Sequence, residues 1–127
     1  MVTSRILVVE DNAMNMELAV DLLKLQGYEV LSATTGQEAL DICVREHPDL
    51  VLMDVQLPGM DGLAVTKKLK ENPETMDIPV IALTAHAMKG DEERILSHGC
   101  TGYISKPIDT REFSRTVGKF IAKTKKG

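Results

Sequence analysis

Several polar side chains in this sequence stand directly after short apolar runs, where a buried strand would release them. Glu10 and Asp11 follow Ile6-Leu7-Val8-Val9, and Asp54 follows Leu50-Val51-Leu52-Met53. Thr84 follows Val80-Ile81-Ala82-Leu83, and Lys106 follows Tyr103-Ile104-Ser105. A carboxylate at the end of a buried strand is costly unless something there compensates it. Carboxylates brought together repel and call for a cation. All of these candidate ligands are oxygens, with no His or Cys among them, which favours Mg²⁺ over zinc. Mg²⁺ commonly binds one or two carboxylates together with phosphate oxygens. The Lys106 ammonium suits a phosphate oxygen as a point charge, and Thr84 offers a hydroxyl to another. The sequence has no Gly-rich phosphate loop and no Ser/His or Cys arrangement for nucleophilic attack. The best nucleophile is then the Asp54 carboxylate itself. Its attack on phosphorus would give an aspartyl phosphate.

Whether these groups meet depends on the elements that carry them. Residues 5–9 read as a buried strand, short and β-branched. Asn12 is a suitable N-cap for a helix bearing Met16, Ala19, Val20, Leu22 and Leu23, which Gly27 closes. Residues 28–32 alternate like a second strand. Thr35 and Glu38 form a capping-box pattern before a helix carrying Ala39, Leu40, Ile42 and Cys43. His47-Pro48 ends that helix. Residues 50–53 are the third strand, followed by a Pro58-Gly59 turn and by Asp61, which can cap a helix bearing Leu63, Val65 and Leu69. Residues 78–83 read as the fourth strand, with Pro79 near its start, and 85–90 as a loop. Asp91-Glu92-Glu93 load the first turn of a fourth helix with negative charge, which suits its dipole; Gly99 ends it. Residues 102–104 are a short fifth strand. Asp109 with Glu112 opens a last helix whose apolar face is Phe113, Val117, Phe120 and Ile121, ending near Ile121.

Strands alternating with helices imply a parallel sheet with helices on both faces, in one α/β domain. Ligand sites in such sheets lie at the carboxyl ends of the strands, near the switch in strand order. If strands one, three, four and five are neighbours, Glu10, Asp11, Asp54, Thr84 and Lys106 converge on one edge.

Composition narrows the choices. The chain has 127 residues, enough to bury a core, and a net charge of −4. That balance argues against nucleic acid as the main ligand, because phosphate-backbone binding needs a positive face. Tyr28, Tyr103, Phe113 and Phe120 are the only aromatic residues, too few for a base-stacking platform. Cys43 and Cys100 lack metal-ligand spacing and read as apolar fillers in a reducing compartment. No apolar run approaches the length of a membrane span or a signal segment, so a cytoplasmic protein without membrane contact is expected.

The chain closely resembles the receiver domain of two-component response regulators. The matching residues are Ile6-Leu7-Val8-Val9-Glu10-Asp11-Asn12, Leu52-Met53-Asp54 with Leu57-Pro58-Gly59-Met60-Asp61-Gly62, Pro79-Val80-Ile81-Ala82-Leu83-Thr84-Ala85, and Tyr103-Ile104-Ser105-Lys106-Pro107. Asn12-Ala13-Met14-Asn15 and the run 87–94 are most similar to single-domain DivK-type regulators. The resemblance implies a flavodoxin-like fold of five parallel strands in the order 2-1-3-4-5 with helices on both faces. It also implies one receiver domain spanning 1–127 without an output domain, and a phosphoacceptor switch that assists its own phosphorylation and dephosphorylation rather than an enzyme. Asp54 is the implied acceptor, taking a phosphoryl group from a phosphohistidine on a sensor histidine kinase or a histidine phosphotransfer protein. Asp11, Asp54 and the backbone carbonyl of Gln56 are the implied ligands of Mg²⁺, for which Mn²⁺ can substitute, with Glu10 acting mainly through a water. Lys106 is implied to pair with the acceptor or its phosphoryl group, and Thr84 to bond a phosphoryl oxygen. Tyr103 is similar to the switch aromatic, and the Lys106-Pro107 peptide is expected to be cis. A downstream protein is expected to read the surface of the fourth helix, fifth strand and fifth helix. A monomer is expected, with dimerisation left open.

Taken singly, these residues have plainer readings. A strand-end Asp is more often a turn or cap residue, Thr84 a loop-start hydroxyl, Tyr103 a half-buried strand aromatic and Lys106 a solvated lysine. Asp61 reads as a helix cap rather than a ligand. Met14, Met16, Met53, Met60 and Met88 read as packing residues, with Met14 and Met16 also placed to flank a partner groove. His86 and Gln56 stand two residues beyond Thr84 and Asp54, where the family tunes removal of the phosphoryl group by water. An aspartyl-nucleophile phosphohydrolase would need a second carboxylate where Gln56 stands. A receiver that binds partners without phosphorylation would not need the intact set Glu10, Asp11, Asp54, Thr84 and Lys106.

Overall fold

The apolar runs become the middle of a sheet. The computed structural model describes residues 3–57, 59–85 and 89–126; Pro58, His86 and Met88 lie outside the described residues. In chain order the elements are β1 (Arg5–Val9), α1 (Ala13–Leu25), β2 (Glu29–Ala33), α2 (Gly36–Glu46), β3 (Leu50–Asp54), α3 (Gly62–Glu71), β4 (Val80–Thr84), α4 (Lys89–Ser97), β5 (Gly102–Ser105) and α5 (Thr110–Lys126). All strand pairs are parallel and the order is β2-β1-β3-β4-β5, as the resemblance implies. Every residue of β3 and β4 is buried, and β1 is buried from Ile6 onward. That is why these strands are apolar without alternation. The edge strands β2 and β5 are partly exposed, which explains the mixed character of residues 28–32.

Alternate strand residues feed two cores. Ile6, Val8, Leu50, Leu52, Ile81 and Leu83 pack with Ala19 and Leu23 of α1 and with Phe113, Val117 and Ile121 of α5. Leu7, Val9, Val51, Met53, Val80 and Ala82 pack with Ala39 and Cys43 of α2, Leu63, Val65 and Leu69 of α3, and Ile95 of α4. Cys43 and Cys100 are buried and free, and burial pushes the Cys43 thiol up to about 11, the behaviour of a filler rather than a nucleophile. Met53 is buried, while Met16 and Met60 are partly buried against the cores. Met14 departs from the packing reading: it is 80% exposed on α1.

The helix ends follow the expected chemistry, with small shifts. Asn12 accepts from the Asn15 N–H, Thr35 from Glu38 N–H and Asp61 from Leu63 N–H. The Glu38 carboxylate reaches back to the N–H and the hydroxyl of Thr34. Asp109 accepts from the N–H groups of Arg111 and Glu112. Gly27 and Gly99 take the left-handed conformation that closes α1 and α4. Replacing Asp61 by Ala should remove the α3 cap and lower stability by about 1 kcal/mol, read as a lower urea midpoint with unchanged slope.

Boundaries moved where hydrogen bonds compete. The Tyr28 N–H closes α1 on Leu23 O, so β2 starts at Glu29, one residue later than predicted. Ile78 N–H bonds Thr75 O in the preceding turn, so β4 starts at Val80 rather than at 78. Helix α4 starts at Lys89, two residues before Asp91. Helix α5 runs to Lys126 instead of ending near Ile121. No Gly or Pro interrupts residues 119–126, and lysines suit a helix C-terminus. Among the described residues, no helix is long and apolar enough to cross a membrane.

Candidate acidic site at the sheet edge

The strand order makes β1, β3, β4 and β5 neighbours, and their pairing brings the strand ends level. Val9 is opposite Met53, Asp54 opposite Leu83, and Thr84 opposite Ser105. The predicted residues therefore share one edge. Glu10, Asp11 and Asp54 each offer a carboxylate oxygen within 4.8 Å of the others. Glu10 is 1% exposed and Asp54 4%, whereas Asp11 faces solvent.

Lys106 enters from β5 and sits between the two buried carboxylates. Its Nζ donates to Glu10 Oε1 at 2.7 Å and lies 3.2 Å from Asp54 Oδ2. The second oxygen of each carboxylate accepts from a backbone N–H two residues on: Asn12 N–H to Glu10 Oε2 at 3.1 Å, and Gln56 N–H to Asp54 Oδ1 at 3.0 Å. Both acids are thus held at both ends. The Lys106 N–H donates to Thr84 O at 2.7 Å, and the Lys106-Pro107 peptide is cis, as expected.

Charge is unevenly shared among these groups. Burial and a hydrogen bond with Glu10 push the Asp54 carboxyl up to about 6, against the Gln56 N–H and the Lys106 charge. Burial also pushes Glu10 upward, but hydrogen bonds with Asp54, Lys106 and the Asn12 N–H outweigh it and leave its carboxyl below the usual range. Of the pair, Asp54 takes a proton first. Burial pulls the Lys106 ammonium down, yet Glu10 and Asp54 hold it above its ordinary value. Among the described residues, two buried acids and one exposed acid against the Lys106 ammonium leave excess negative charge, the electrostatic setting in which a divalent cation binds.

Thr84 is buried and lines a cleft of about 240 Å³ with Val55, Gln56, Asp61, Asp91, Arg94 and Ile95. Gln56 is exposed there. Tyr103, opposite Ala82 in the sheet, is half-buried against the α2, α3 and α4 core. His86 lies outside the described residues. Asp91 and Arg94 were missed as site residues. Their spacing of three puts them on one face of α4 beside buried Ile95, a signal that existed but was absorbed by the helix-dipole reading of Asp91.

Comparison with known proteins agrees with this geometry. Residues 6–117 match the family model described as response regulator receiver domain. The polar-differentiation response regulator DivK of Brucella ovis is 52% identical over 119 residues, covering 94% of this chain and 97% of that protein. The receiver domain of the sensor histidine kinase PA1611 from Pseudomonas aeruginosa, solved with a magnesium ion in its active-site cleft, superimposes with a TM-score of 0.86 at 34% identity, covering 95% of this chain and 99% of that one. The signal receiver domain of a histidine kinase from Syntrophus aciditrophicus gives 0.89 at 32% identity, covering 98% and 95%. The family-model match over residues 6–117 and a 52% identical relative that spans 94% of the chain show that this chain belongs to the response regulator receiver domains of two-component signalling.

Proposed function

We propose that Asp54 accepts a phosphoryl group from a phosphohistidine on a sensor histidine kinase or histidine phosphotransfer protein, and that the modified domain then engages a downstream protein. The observation that carries this reading is the seat of Asp54: a buried carboxylate held by Lys106 on one oxygen and by the Gln56 N–H on the other. A carboxyl near 6 is ionised at neutral pH, as a nucleophile must be. An Asp54 oxygen attacks phosphorus, and the P–N bond breaks with its electron pair leaving on the imidazole nitrogen. Lys106 stays beside the transferred group, and the Thr84 hydroxyl donates to one of its oxygens.

The oxygen-only donor set and its excess negative charge fit Mg²⁺, and the Pseudomonas aeruginosa relative holds that ion in its cleft. Asp11, Asp54 and the backbone carbonyl of Gln56 would hold it, with Glu10 behind them; Mn²⁺ can take its place. When bound, the ion neutralises charge on the phosphoryl oxygens. The group to be transferred arrives from a partner protein and the product stays on the chain, so the domain works as a switch that assists its own modification rather than as an enzyme with a separate substrate.

Phosphorylation adds roughly −1.5 to −2 charges and strong acceptors. A phosphoryl oxygen then becomes a new partner for the Thr84 hydroxyl and for the Lys106 ammonium, which biases β4, α4, β5 and α5 toward a second arrangement. Tyr103 turning inward is the proposed reporter of that change. The donor protein docks near α1 and the β5–α5 loop, and output passes through the α4-β5-α5 surface to a protein partner. Gln56 and His86 set how fast water removes the group.

Incubation with phosphoramidate and Mg²⁺ should add the mass of one phosphoryl group, and excess EDTA should prevent it. No adduct with donor and Mg²⁺ present would overturn the reading. In the same assay, His86→Ala should alter the decay of the adduct without stopping its formation; an unchanged decay rate removes His86 from the tuning role.

A further inference from the structure

Helix α3 begins with a glycine, although glycine is a poor helix former and Gly62 does not have the positive φ found at Gly27, Gly59 and Gly99. Space explains it. A Cβ at position 62 would overlap the carbonyl oxygen of Asp54, at 2.9 Å from its carbonyl carbon and 3.0 Å from the Val55 Cα. These are backbone atoms at the end of a central strand, so they cannot swing aside as a side chain can. The Gly62 N–H also donates to Val55 O at 2.9 Å. The first turn of α3 thus rests directly on the segment that carries the acceptor.

The same turn is held from behind. Thr66 has no exposed surface, and its Oγ1 donates to Gly62 O at 3.0 Å. Cys100, buried between α4 and β5, approaches Thr66 Oγ1 with its Sγ at 3.9 Å and donates to it. The hydroxyl thus ties the next turn of α3 to the carbonyl of the residue that abuts Asp54.

We propose that Gly62 and Thr66 are positioning residues for the acceptor, forming a seat that fixes the backbone from Asp54 to Gln56. The seat sets where the Asp54 carboxylate points and where the Gln56 carbonyl is offered. This rests on the phosphoacceptor reading and extends it to residues that touch neither phosphoryl group nor ion. Displacements of about 1 Å at a reacting group can cost two orders of magnitude in rate.

The test compares full-length Gly62→Ala, Thr66→Val, Thr66→Ser and Gly36→Ala with the parent chain. Gly36 is the control: it also opens a helix, and a Cβ there would meet a side chain, Val65 Cγ2, at 2.7 Å. Three quantities are read: the Mg²⁺ dissociation constant by titration, the rate of adduct formation with phosphoramidate, and amide hydrogen exchange of Val55 and Gln56 in EDTA. Gly62→Ala should weaken Mg²⁺ binding and slow adduct formation by about tenfold or more. Thr66→Val should do so by about threefold to tenfold, with Thr66→Ser restoring parental values. Both Gly62→Ala and Thr66→Val should speed exchange at Val55 and Gln56. Gly36→Ala should lower the melting temperature while leaving Mg²⁺ binding unchanged. If Gly62→Ala does not fold, the Thr66→Val and Thr66→Ser pair decides. Parental exchange, Mg²⁺ binding and adduct rate in Thr66→Val would overturn the seat. A parent chain that takes up neither Mg²⁺ nor phosphoryl group would instead overturn the phosphoacceptor reading, and the exchange data would still judge the seat.

Discussion

Asp54→Asn should take up no phosphoryl group at all, and in EDTA at pH 7.5 it should be more stable than the parent chain. The first effect follows from chemistry: an amide lacks the charge and the nucleophilic oxygen pair of a carboxylate. The second follows from the environment of Asp54. Its carboxyl is raised from 3.8 to about 6 by burial and by Glu10, so folding disfavours the charged form. Stability tied to this group is fully present below pH 3.8 and is lost as pH rises through about 6. Asparagine escapes that loss. The variant should gain about 2 kcal/mol at pH 7.5, and the gain should shrink as pH falls below the raised value. Added Mg²⁺ should narrow the gap, because it binds the parent chain better. Urea denaturation followed by circular dichroism reads this directly; a midpoint at or below that of the parent chain would refute the electrostatic account.

Lys106→Ala should act in the opposite direction. It removes the ammonium that Glu10 holds at 2.7 Å and Asp54 at 3.2 Å, leaving two buried carboxylates beside Asp11. Removing one partner from a buried pair costs about 3–5 kcal/mol. The loss should be largest above pH 7, where both acids are ionised, and smaller below about 6, where Asp54 takes up a proton. Adduct formation should slow as well, since no ammonium remains beside the phosphoryl oxygens. A pH-independent loss would mean that packing of the lysine stem, rather than its charge, is what the site needs.

The parts of this fold that were legible in the sequence are those fixed by periodicity and by strand ends. Residues 6–9, 50–53 and 80–83 are apolar without alternation because both faces of β1, β3 and β4 are covered. Once they were read as neighbours, the rule that sites lie at carboxyl ends brought Glu10, Asp54, Thr84 and Lys106 together. The pairing register then levels their ends, which periodicity alone could not specify. Other features depend on contacts across the chain. Nothing local says that Gly62 abuts the Asp54 carbonyl, because glycine at a helix start has many uses. Arg94 looks like any exposed helical arginine until α4 is laid beside Thr84. The end of α5 was misplaced because its apolar stripe stops at Ile121, while the backbone has no reason to stop there.

The lysine that balances the acidic edge lies 96 residues along the chain from the glutamate it pairs with. Every carboxylate of the cluster precedes or ends β3 in the chain, yet the matching cation follows β5, and β4 stands between those two strands in the sheet. A contact of such long sequence separation carries a larger loop-closure cost than a local one. A chain still emerging from the ribosome therefore carries the acids without the lysine, and completion of the edge coincides with completion of the sheet. Balancing the charge of this edge is in this way tied to synthesis of almost the entire domain.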